Sequence, residues 1–259
     1  MIAVLILLAV VAFLIWNHFN WKAQAWPEEG CRPSKYQGHR GYWKGGAQEN
    51  TLASFKAAKE RGLHMVEMDV RLSKDDVVVV FHDDTLERIG NSSKKVRELT
   101  AYELQALVNA PTLRDVLISN DVPEFLNIEL KTAEKFDSTL ENKIAELVRE
   151  TGTSSRILFS SFNPLSIRRL SKVLPEIPRA LLATKEEDPM NKFYLKHLWL
   201  APFVRANALH LDHHFVSVEE LRRYTKRGVP VAFWTVNEKE KADELLKNGA
   251  LSIISDTLS

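Results

Sequence analysis

The sequence alternates short apolar segments with capped helical segments from about residue 36 to its end. Nine of the apolar segments are typical of strands, because aliphatic residues dominate them and turn residues bound them. They cover residues 37–41, 65–71, 77–82, 124–131, 156–161, 179–183, 208–212, 229–235 and 251–255. Repeated strand-then-helix order predicts an α/β fold with a parallel sheet, and the number of units favours a closed (β/α)₈ TIM barrel over an open sheet.

Helix starts are marked by N-cap residues followed three positions later by an acidic residue. Such capping boxes are predicted at Thr100/Glu103, Ser217/Glu220 and Asn237/Glu240, and Asn163-Pro164 predicts a further start. Asn50 or Thr51 caps the first barrel helix, and a capping role is favoured for Glu49 over one in orienting the neighbouring loop. The second and third strand segments are so close that we expect no full helix between them.

The chain begins with an apolar run from Ile2 to Trp16, which Phe19 and Trp21 extend as an interfacial aromatic belt. No basic leading region or small-residue cleavage site is evident. We therefore predict a single-pass membrane anchor over residues 1–22, with a cleaved signal peptide as the main alternative. Residues 23–35 are predicted to be a linker, and residues 36–259 the barrel.

Charge and cysteine content exclude some partners and sites. Lys plus Arg (35) nearly balances Asp plus Glu (34), so no overall field favours nucleic acid, and we expect no nucleic-acid partner. The single cysteine, Cys31, excludes an intramolecular disulfide and a multi-cysteine metal site. Because the overall charge is nearly balanced, any attraction for an anionic substrate must come from positive side chains close to its binding site.

Two carboxylates interrupt the second strand segment, Val66-Glu67-Met68-Asp69-Val70. Because side chains alternate along a strand, Glu67 and Asp69 share one face and the apolar residues share the other. Two like charges on a half-buried surface repel each other and resist desolvation unless a positive charge compensates them. Taken alone, the pattern fits a solvated edge strand and a divalent-cation site equally well.

The segment Leu126-Asn127-Ile128-Glu129-Leu130-Lys131 repeats that pattern. If helices cover the sheet, its aliphatic residues pack under them and its polar residues must face the barrel mouth. We therefore expect Glu67, Asp69 and Glu129 to form one site. Three carboxylates suit a hard cation, so the predicted cofactor is one divalent cation, Mg²⁺ or Ca²⁺.

Histidines end two other strand segments, in Gly38-His39-Arg40-Gly41 and in the run that closes with His82. Active sites of such barrels lie at the C-terminal ends of the strands. Arginine offers a planar fork suited to phosphate, and histidine exchanges protons near neutral pH. Each pair taken alone would also fit a surface loop.

An ordered set of motifs resembles the glycerophosphodiester phosphodiesterase family from about residue 36 to the C-terminus. The motifs are His39-Arg40-Gly41, Glu49-Asn50-Thr51, Glu67-x-Asp69, His82-Asp83, Pro111-Thr112-Leu113, Glu129-x-Lys131, Ser161-Phe162 and Trp234-Thr235-Val236-Asn237. One departure concerns the end of the chain, where the family's Thr-Asp-x-Pro is Ser255-Asp256-Thr257-Leu258.

The resemblance implies roles for these residues. Glu67, Asp69 and Glu129 would be metal ligands, and His39 and His82 a general acid/base pair. Arg40 and Lys131 would hold phosphate, and residues 83–123 would form a small helical insertion. The implied reaction is metal-dependent hydrolysis of glycerophosphodiesters to an alcohol and glycerol 3-phosphate, with attack by the adjacent glycerol hydroxyl.

Several alternatives stay open at this level. Lysophospholipase D-like hydrolysis of membrane lysophospholipids is the second candidate activity, beside a phospholipase C-like activity and a non-catalytic binding module. Trp234 is expected in the substrate pocket, whereas Phe162 fits a core role equally well. The aromatic segment 193–203 would touch a bilayer or an acyl chain, or pack ordinarily on the barrel. For His210, His213 and His214, a loop or core role is favoured over a second metal site.

Overall fold

The computed structural model describes residues 1–132, 136–189 and 191–259. In those residues, eight parallel strands close a barrel, because β1 pairs with both β11 and β2. The strands are β1 Tyr36–Gly38, β2 Met65–Leu72, β3 Val78–Val80, β4 Thr85–Leu86, β5 Ser92–Lys95, β6 Phe125–Leu130, β7 Ile157–Ser161, β8 Arg179–Ala183, β9 Ala208–Asp212, β10 Val231–Trp234 and β11 Ser252–Ser255. The predicted TIM barrel is confirmed.

The ninth strand of the main sheet, β3, lies antiparallel on β2. A turn replaces a helix between the two strands, since the Ser73 amide donates to the Val77 carbonyl and the Ser73 hydroxyl to the same oxygen. The prediction that these two segments lack an intervening helix is therefore confirmed. The barrel strands run in the order β1, β2, β6, β7, β8, β9, β10 and β11.

Helix α1 precedes the first strand, and the other helices lie between or after the strands on the outside of the barrel. They are α1 Ile2–Asn20, α2 Leu52–Glu60, α3 Glu87–Gly90, α4 Ala101–Val108, α5 Leu113–Ile118, α6 Thr139–Thr151, α7 Pro164–Val173, α8 Phe193–Lys196, α9 Ala201–Val204, α10 Val218–Lys226 and α11 Lys239–Lys247. Short 3₁₀ turns occupy Val96–Glu98, Ser154–Arg156 and His213–Phe215. Residues between β3 and β6 form the insertion, which contains the β4–β5 hairpin as well as the expected helices.

The predicted caps are found at Thr100, Ser217 and Asn163, and Thr51 caps α2. The cap predicted at Asn237 is wrong. Helix α11 starts after Glu238, without a side-chain cap, because the Asn237 side chain is hydrogen-bonded to the C-terminal segment instead.

The core has an apolar outer layer and a partly polar interior. Outward residues of the strands, such as Val66, Met68 and Ile128, pack under the helices. Inside the barrel, the Gln37 amide donates to Ser252 Oγ and accepts from Asn127, whose amide oxygen accepts from Ser160. This chain of satisfied amide and hydroxyl groups forms a polar floor below the barrel mouth.

Helix α1 is the one helix in the described residues that is long and apolar enough to cross a membrane, with a mean hydropathy of 2.5. Its last turn packs on the barrel, where the His18 ring stacks on Trp199 at 4.2 Å between centroids. The Arg227 guanidinium donates to the Trp21 carbonyl (2.9 Å), and the Trp21 side chain is buried. The segment after α1 also packs on the barrel, since the backbone N–H of Gln24 donates to the Ala206 carbonyl.

Candidate active site

The loop that carries His39 is held tightly against helix α2. Arg40 adopts a left-handed conformation (φ 55°), and its carbonyl accepts a hydrogen bond from Ser54 Oγ at 3.0 Å. Gly41 follows at φ 83°, where an added Cβ would lie only 2.5 Å from Ser54 Oγ. Glycine is therefore required at this position by both the backbone conformation and the close contact. The result is a rigid turn that presents two successive side chains at the end of β1.

The three predicted ligand carboxylates converge at the barrel mouth. Glu67 and Asp69 lie on the inward face of β2, and Asp69 is in register with Glu129 on β6. One oxygen from each carboxylate lies within 4.8 Å of the others, and all three side chains are buried. The period of two in both strands thus assembles a compact carboxylate cluster at the edge where parallel strands end.

Burial makes this cluster electrostatically unfavourable without compensation. It raises the pKa of Glu67 well above its ordinary value, and the charges of Asp69 and Glu129 raise it further. Burial and Asp69 likewise raise the pKa of Glu129, against the effect of Lys131. Burial would also raise the pKa of Asp69, but Lys131 and other nearby cationic groups hold it below its usual range. Asp69 is thus the carboxylate that stays most firmly ionised.

Both residues expected to hold phosphate lie against this cluster. Lys131 Nζ is 3.1 Å from an Asp69 oxygen and 2.5 Å from a Glu129 oxygen. Arg40 Nε lies 3.4 Å from Asp69, and its terminal nitrogen is 2.9 Å from Glu49. Two cations therefore sit at the mouth beside the carboxylates, in positions from which they can also attract an anion.

Asn50 holds the central carboxylate in place, a role that the sequence did not suggest. Its amide nitrogen donates to Asp69 Oδ2 at 2.8 Å, and its amide oxygen accepts from the Asp69 backbone at 3.1 Å. Asn50 has a left-handed backbone (φ 56°), a conformation that asparagine tolerates better than most residues. The Glu49-Asn50-Thr51 motif was the available signal, but for Asn50 it suggested only a helix cap.

His39 is oriented by a carboxylate from the other end of the chain. Its Nδ1 lies 2.8 Å from Asp256 Oδ1, and because a carboxylate only accepts, Nδ1 carries the proton. The opposite nitrogen, Nε2, faces the cluster at 4.0 Å from Glu67. Asn237 fixes Asp256 by donating to its second oxygen (3.0 Å) and by accepting from its backbone amide (2.9 Å). The departures at Ser255 and Leu258 therefore leave this aspartate in place.

His82 is oriented by its sequence neighbour. Its Nδ1 donates to Asp83 Oδ1 at 2.6 Å, and Arg88 donates to the other oxygen of Asp83 at 2.8 Å. Burial lowers the pKa of His82 to about 4, so the imidazole is neutral at pH 7. The contact of Asp83 with His82 shows a role that the His-Asp dipeptide could have indicated.

Glu49 links the two histidine loops, so the capping role expected for it is wrong. Its carboxylate accepts from Arg40 at 2.9 Å and from Arg88 at 2.6 and 2.9 Å. The side chain is buried, and although burial alone would raise its pKa, the two arginines lower it. Glu49 is therefore an ionised bridge between the turn after β1 and the insertion.

Two aromatic side chains lie at the C-terminal ends of β7 and β10. Trp234 is half-buried at the end of β10 and donates from Nε1 to the His210 carbonyl at 3.1 Å. Phe162 contacts it edge-on at 5.5 Å between centroids, and Lys131 Nζ lies 5.7 Å from the Phe162 ring. With 37 % of its surface exposed, Phe162 is not a core residue.

The second histidine group does not form a metal site within the described residues. His214 binds the Asp212 carboxylate at 2.8 Å, and the His213 ring lies on that of His214. His210 points into the barrel, fully buried, and neither ring nitrogen has a hydrogen-bond partner among the described residues. These placements match the expected loop and core roles.

Comparison with known proteins places this geometry in a family. The glycerophosphoryl diester phosphodiesterase family matches residues 38–259. The chain is 32% identical to a glycerophosphodiester phosphodiesterase of Caldanaerobacter subterraneus subsp. tengcongensis over 232 residues, which cover 84% of this chain and 92% of the relative.

Solved structures show the same fold. A phosphodiesterase of Oleispira antarctica, in complex with the product sn-glycerol-3-phosphate, superposes with a TM-score of 0.74 at 28% identity, covering 86% of this chain and 93% of that one. A glycerophosphodiester phosphodiesterase of Thermotoga maritima gives a TM-score of 0.68 at 29% identity, with coverage of 87% and 95%.

Proposed function

This chain belongs to the glycerophosphoryl diester phosphodiesterase family and hydrolyses glycerophosphodiesters, and we propose that His39 and His82 carry the protons of that reaction beside a divalent cation. The observation that carries the proposal is the arrangement at the barrel mouth. Three buried carboxylates lie within 4.8 Å of one another, and two histidines, each held by its own aspartate, lie next to them.

The carboxylate cluster fits a hard divalent cation. All of the donors are oxygens, and Glu67 Oε1 is a buried atom without a hydrogen-bond partner among the described residues. Burial and the neighbouring carboxylates raise the pKa values of Glu67 and Glu129 even with Lys131 beside them, and this supports a further positive charge in the cluster. We propose that Glu67, Asp69 and Glu129 hold Mg²⁺ or Ca²⁺. A bound cation of this kind supplies Lewis-acid polarisation of a phosphoryl oxygen and lowers the pKa of a coordinated hydroxyl.

The cationic side chains are proposed to orient the phosphate. Arg40 presents a planar guanidinium at the mouth, fixed by Glu49, so little side-chain entropy is lost when an anion binds. Lys131 is partly buried and stays protonated, because Glu129 and Asp69 raise its pKa despite its desolvation. Trp234 borders the same space and provides an apolar face for the glycerol or the departing alcohol.

The histidines are proposed to move protons in opposite directions. In each neutral ring the proton is on Nδ1, where an aspartate accepts it, so Nε2 carries the lone pair. One Nε2 takes the proton of the attacking hydroxyl, while the other ring, protonated, donates to the oxygen of the leaving alcohol. The phosphorus–oxygen bond to the alcohol breaks as the bond from the adjacent glycerol hydroxyl forms, and water then opens the resulting cyclic phosphate to leave glycerol 3-phosphate.

Removal and return of the metal test the cofactor proposal. After treatment with EDTA we expect hydrolysis of glycerophosphocholine to fall by about 10² or more, and Mg²⁺ or Ca²⁺ to restore it. Glu67→Gln keeps the side-chain volume but removes one charge, so calorimetry should show cation affinity lowered about tenfold to a hundredfold. Unchanged affinity in this variant, or full activity in EDTA, would contradict the proposal.

We further propose that α1 is retained as a membrane anchor for residues 1–22, with residues 23–35 joining it to the catalytic region 36–259 and its 83–123 insertion. The support is the packing of its end, where His18 stacks on Trp199 and Trp21 is buried beside Arg227. Removal of α1 with its last turn would expose that surface. Mass spectrometry of the protein from a membrane fraction should show an intact N-terminus, whereas a mature chain starting after α1 would support the signal-peptide alternative.

A further inference from the structure

An open cavity of about 390 Å³ lies where the last turn of α1 meets the barrel. Its walls belong to the end of α1, the segment around α8, helix α10 and the ends of β8 and β9. The volume is typical of a site for a small ligand, roughly 300–1,000 Å³. None of the described residues that line it belongs to the carboxylate cluster or to the histidine pair, so the cavity is separate from the catalytic groups.

Positively charged side chains outnumber carboxylates in the lining of this cavity. The cations are Lys185, Lys196, Arg223 and Arg227, and the carboxylates are Asp212 and Glu220. Both carboxylates are already engaged, since Asp212 accepts from Thr184 Oγ1 at 2.9 Å and Glu220 lies 3.6 Å from Lys185 Nζ. The cavity is therefore locally positive, although the charge of the whole chain is nearly balanced.

Arg223 and Arg227 supply the charge that is not compensated. They lie one turn apart on α10 and therefore on the same face of that helix. No carboxylate of the described residues lies within 4.0 Å of either guanidinium group. Lys196, by contrast, is paired at 2.8 Å with Glu187, which does not line the cavity. An anion that enters the cavity thus meets two arginines whose charge is not already neutralised.

The guanidinium group of Arg227 joins the cavity to the end of α1. One terminal nitrogen donates to the Trp21 carbonyl at 2.9 Å and lies 3.5 Å from the His18 carbonyl. Its Nε is buried without a hydrogen-bond partner among the described residues, and so is Nδ1 of His18. Buried polar groups are nearly always hydrogen-bonded, and Nε of an arginine can only donate. A ligand that satisfies it must therefore supply an acceptor oxygen.

The length of α1 places the cavity at the level of the lipid phosphates. The helix has 19 residues and is about 28 Å long, close to the roughly 30 Å of a bilayer's hydrocarbon core. The residues at its end therefore lie at the interface between hydrocarbon and water. Phe19 (62 % exposed) and Phe193 (66 % exposed) line the cavity, and aromatic side chains are typical of that interface.

We propose that this cavity binds the phosphate of an anionic phospholipid such as phosphatidylglycerol, with Arg223 and Arg227 as its cationic partners. The phosphate supplies acceptor oxygens, and the two arginines attract a lipid whose phosphate charge no head-group ammonium balances. A lipid held there joins the barrel to the bilayer at a second point beside the anchor. The inference goes beyond the hydrolytic reaction and rests on the proposed retention of α1, which forms one wall of the cavity.

The test is native mass spectrometry of the full chain in a non-ionic detergent, titrated with dioleoyl phosphatidylglycerol and, separately, with dioleoyl phosphatidylcholine. We expect phosphatidylglycerol to bind about tenfold more tightly or better, because each lipid-facing cation contributes about fivefold. Both lipids carry the same acyl chains and a glycerophosphodiester, so binding at the catalytic groups contributes to both. A molar excess of inorganic phosphate should leave phosphatidylglycerol bound, and its displacement would overturn the assignment to a lipid.

Two variants remove the proposed partners, Arg223→Gln and Arg227→Gln. Each should weaken the binding of phosphatidylglycerol about fivefold and leave that of phosphatidylcholine unchanged. The matched control is Arg222→Gln, which removes the same charge from the same helix. Arg222 does not line the cavity and donates to Asn248 at 3.0 Å, so this variant should bind both lipids like the wild type. Arg223 makes no contact with α1 comparable to that of Arg227, so Arg223→Gln decides the matter if Arg227→Gln loosens the anchor.

The same spectra separate failure of the anchor from failure of the lipid site, because they give the mass of the intact chain. A chain without the mass of α1 would overturn both the anchor and the site. An intact chain that binds the two lipids equally, or an Arg222→Gln variant that loses as much affinity as Arg223→Gln, would overturn the lipid site alone. Neither result bears on the hydrolysis of glycerophosphocholine, which is assayed separately with that soluble substrate.

Discussion

His39 and His82 both lie next to the carboxylate cluster, but different parts of the chain hold their imidazole rings. His39 is bound by Asp256, which is 217 residues away and is fixed by the neutral amide of Asn237. His82 is bound by the adjacent Asp83, which Arg88 fixes through an ion pair at 2.8 Å. One ring thus depends on closure of the barrel, the other on a local turn and a network of charges.

The difference shows how two similar rings acquire different environments. Asp256 sits in an amide and hydroxyl network with Asn237 and Ser255, which adds no further charge. Asp83 and Glu49 both accept hydrogen bonds from Arg88, and Glu49 also accepts one from Arg40. A chain of charged groups therefore links His82 to Arg40 and to the turn that carries His39. The insertion therefore participates in the site by supplying Arg88.

The largest effect tests whether both rings take part in the chemistry. His39→Ala and His82→Ala should each lower kcat by about 10²–10⁴, the usual contribution of a general acid or base. Circular dichroism and calorimetry should show a folded protein that still binds the divalent cation, because neither histidine belongs to the carboxylate cluster. Near-normal kcat in both variants would rule out the proton-transfer roles.

Next in size is the loss of the aspartates that orient the rings. Asp256→Asn and Asp83→Asn should each lower kcat about tenfold to a hundredfold with little change in KM, since an amide can also stabilise the wrong tautomer. Asp256→Glu and Asp83→Glu serve as matched controls that keep an accepting carboxylate. If the asparagine variants raise KM and leave kcat unchanged, the aspartates bind substrate and do not orient the histidines.

A smaller effect distinguishes the two residues that fix the aspartates, Arg88 at Asp83 and Asn237 at Asp256. Arg88→Gln removes a cation shared by Asp83 and Glu49, whereas Asn237→Ala removes only hydrogen bonds that an uncharged amide makes to Asp256 and Ser255. We expect the loss of kcat in Arg88→Gln to depend on salt concentration and that in Asn237→Ala to be independent of it, because mobile ions screen charges but not amide contacts. Equal salt dependence in steady-state assays would contradict this difference between the two supports.

The smallest expected effect is a shift in the pH dependence of kcat/KM, which should arise from His82 and not from His39. Burial lowers the pKa of His82 to about 4, and its hydrogen bond to Asp83 partly opposes that shift. If His82 must be neutral to accept a proton, activity is present above that pKa and is lost as the pH falls through it. Asp83→Asn removes the opposing bond, so the acidic limb of kcat/KM should move to lower pH.

Asp256→Asn is the control for that pH profile. It leaves the Asp83 contact intact, so any acidic limb due to His82 should stay at its wild-type position. A shift of this limb in Asp256→Asn and none in Asp83→Asn would assign it to His39 instead. Circular dichroism at each pH separates loss of activity from acid unfolding.

Much of the site could be predicted from local patterns. The inward face of Glu67 and Asp69, and that of Glu129, follows from the period of two in a strand with an aliphatic opposite face. The prediction that these three carboxylates lie in one site followed from placing both strands in one parallel barrel. Asn50 and Glu49 were assigned to a helix cap, because a motif before a helix looks the same whether its polar groups cap the helix or turn back toward a strand.

The sequence by itself determined the alternation of strands and helices, the inward placement of the carboxylates and the apolar N-terminal helix, since each depends on residues near one another in the chain. Only the tertiary structure decided that Asp256 binds His39, that Arg88 joins Glu49 to Asp83, and that Phe162 lies beside Trp234 and Lys131. The physical reason is closure of the barrel, which pairs β1 with β11 and brings groups far apart in the chain within hydrogen-bonding distance.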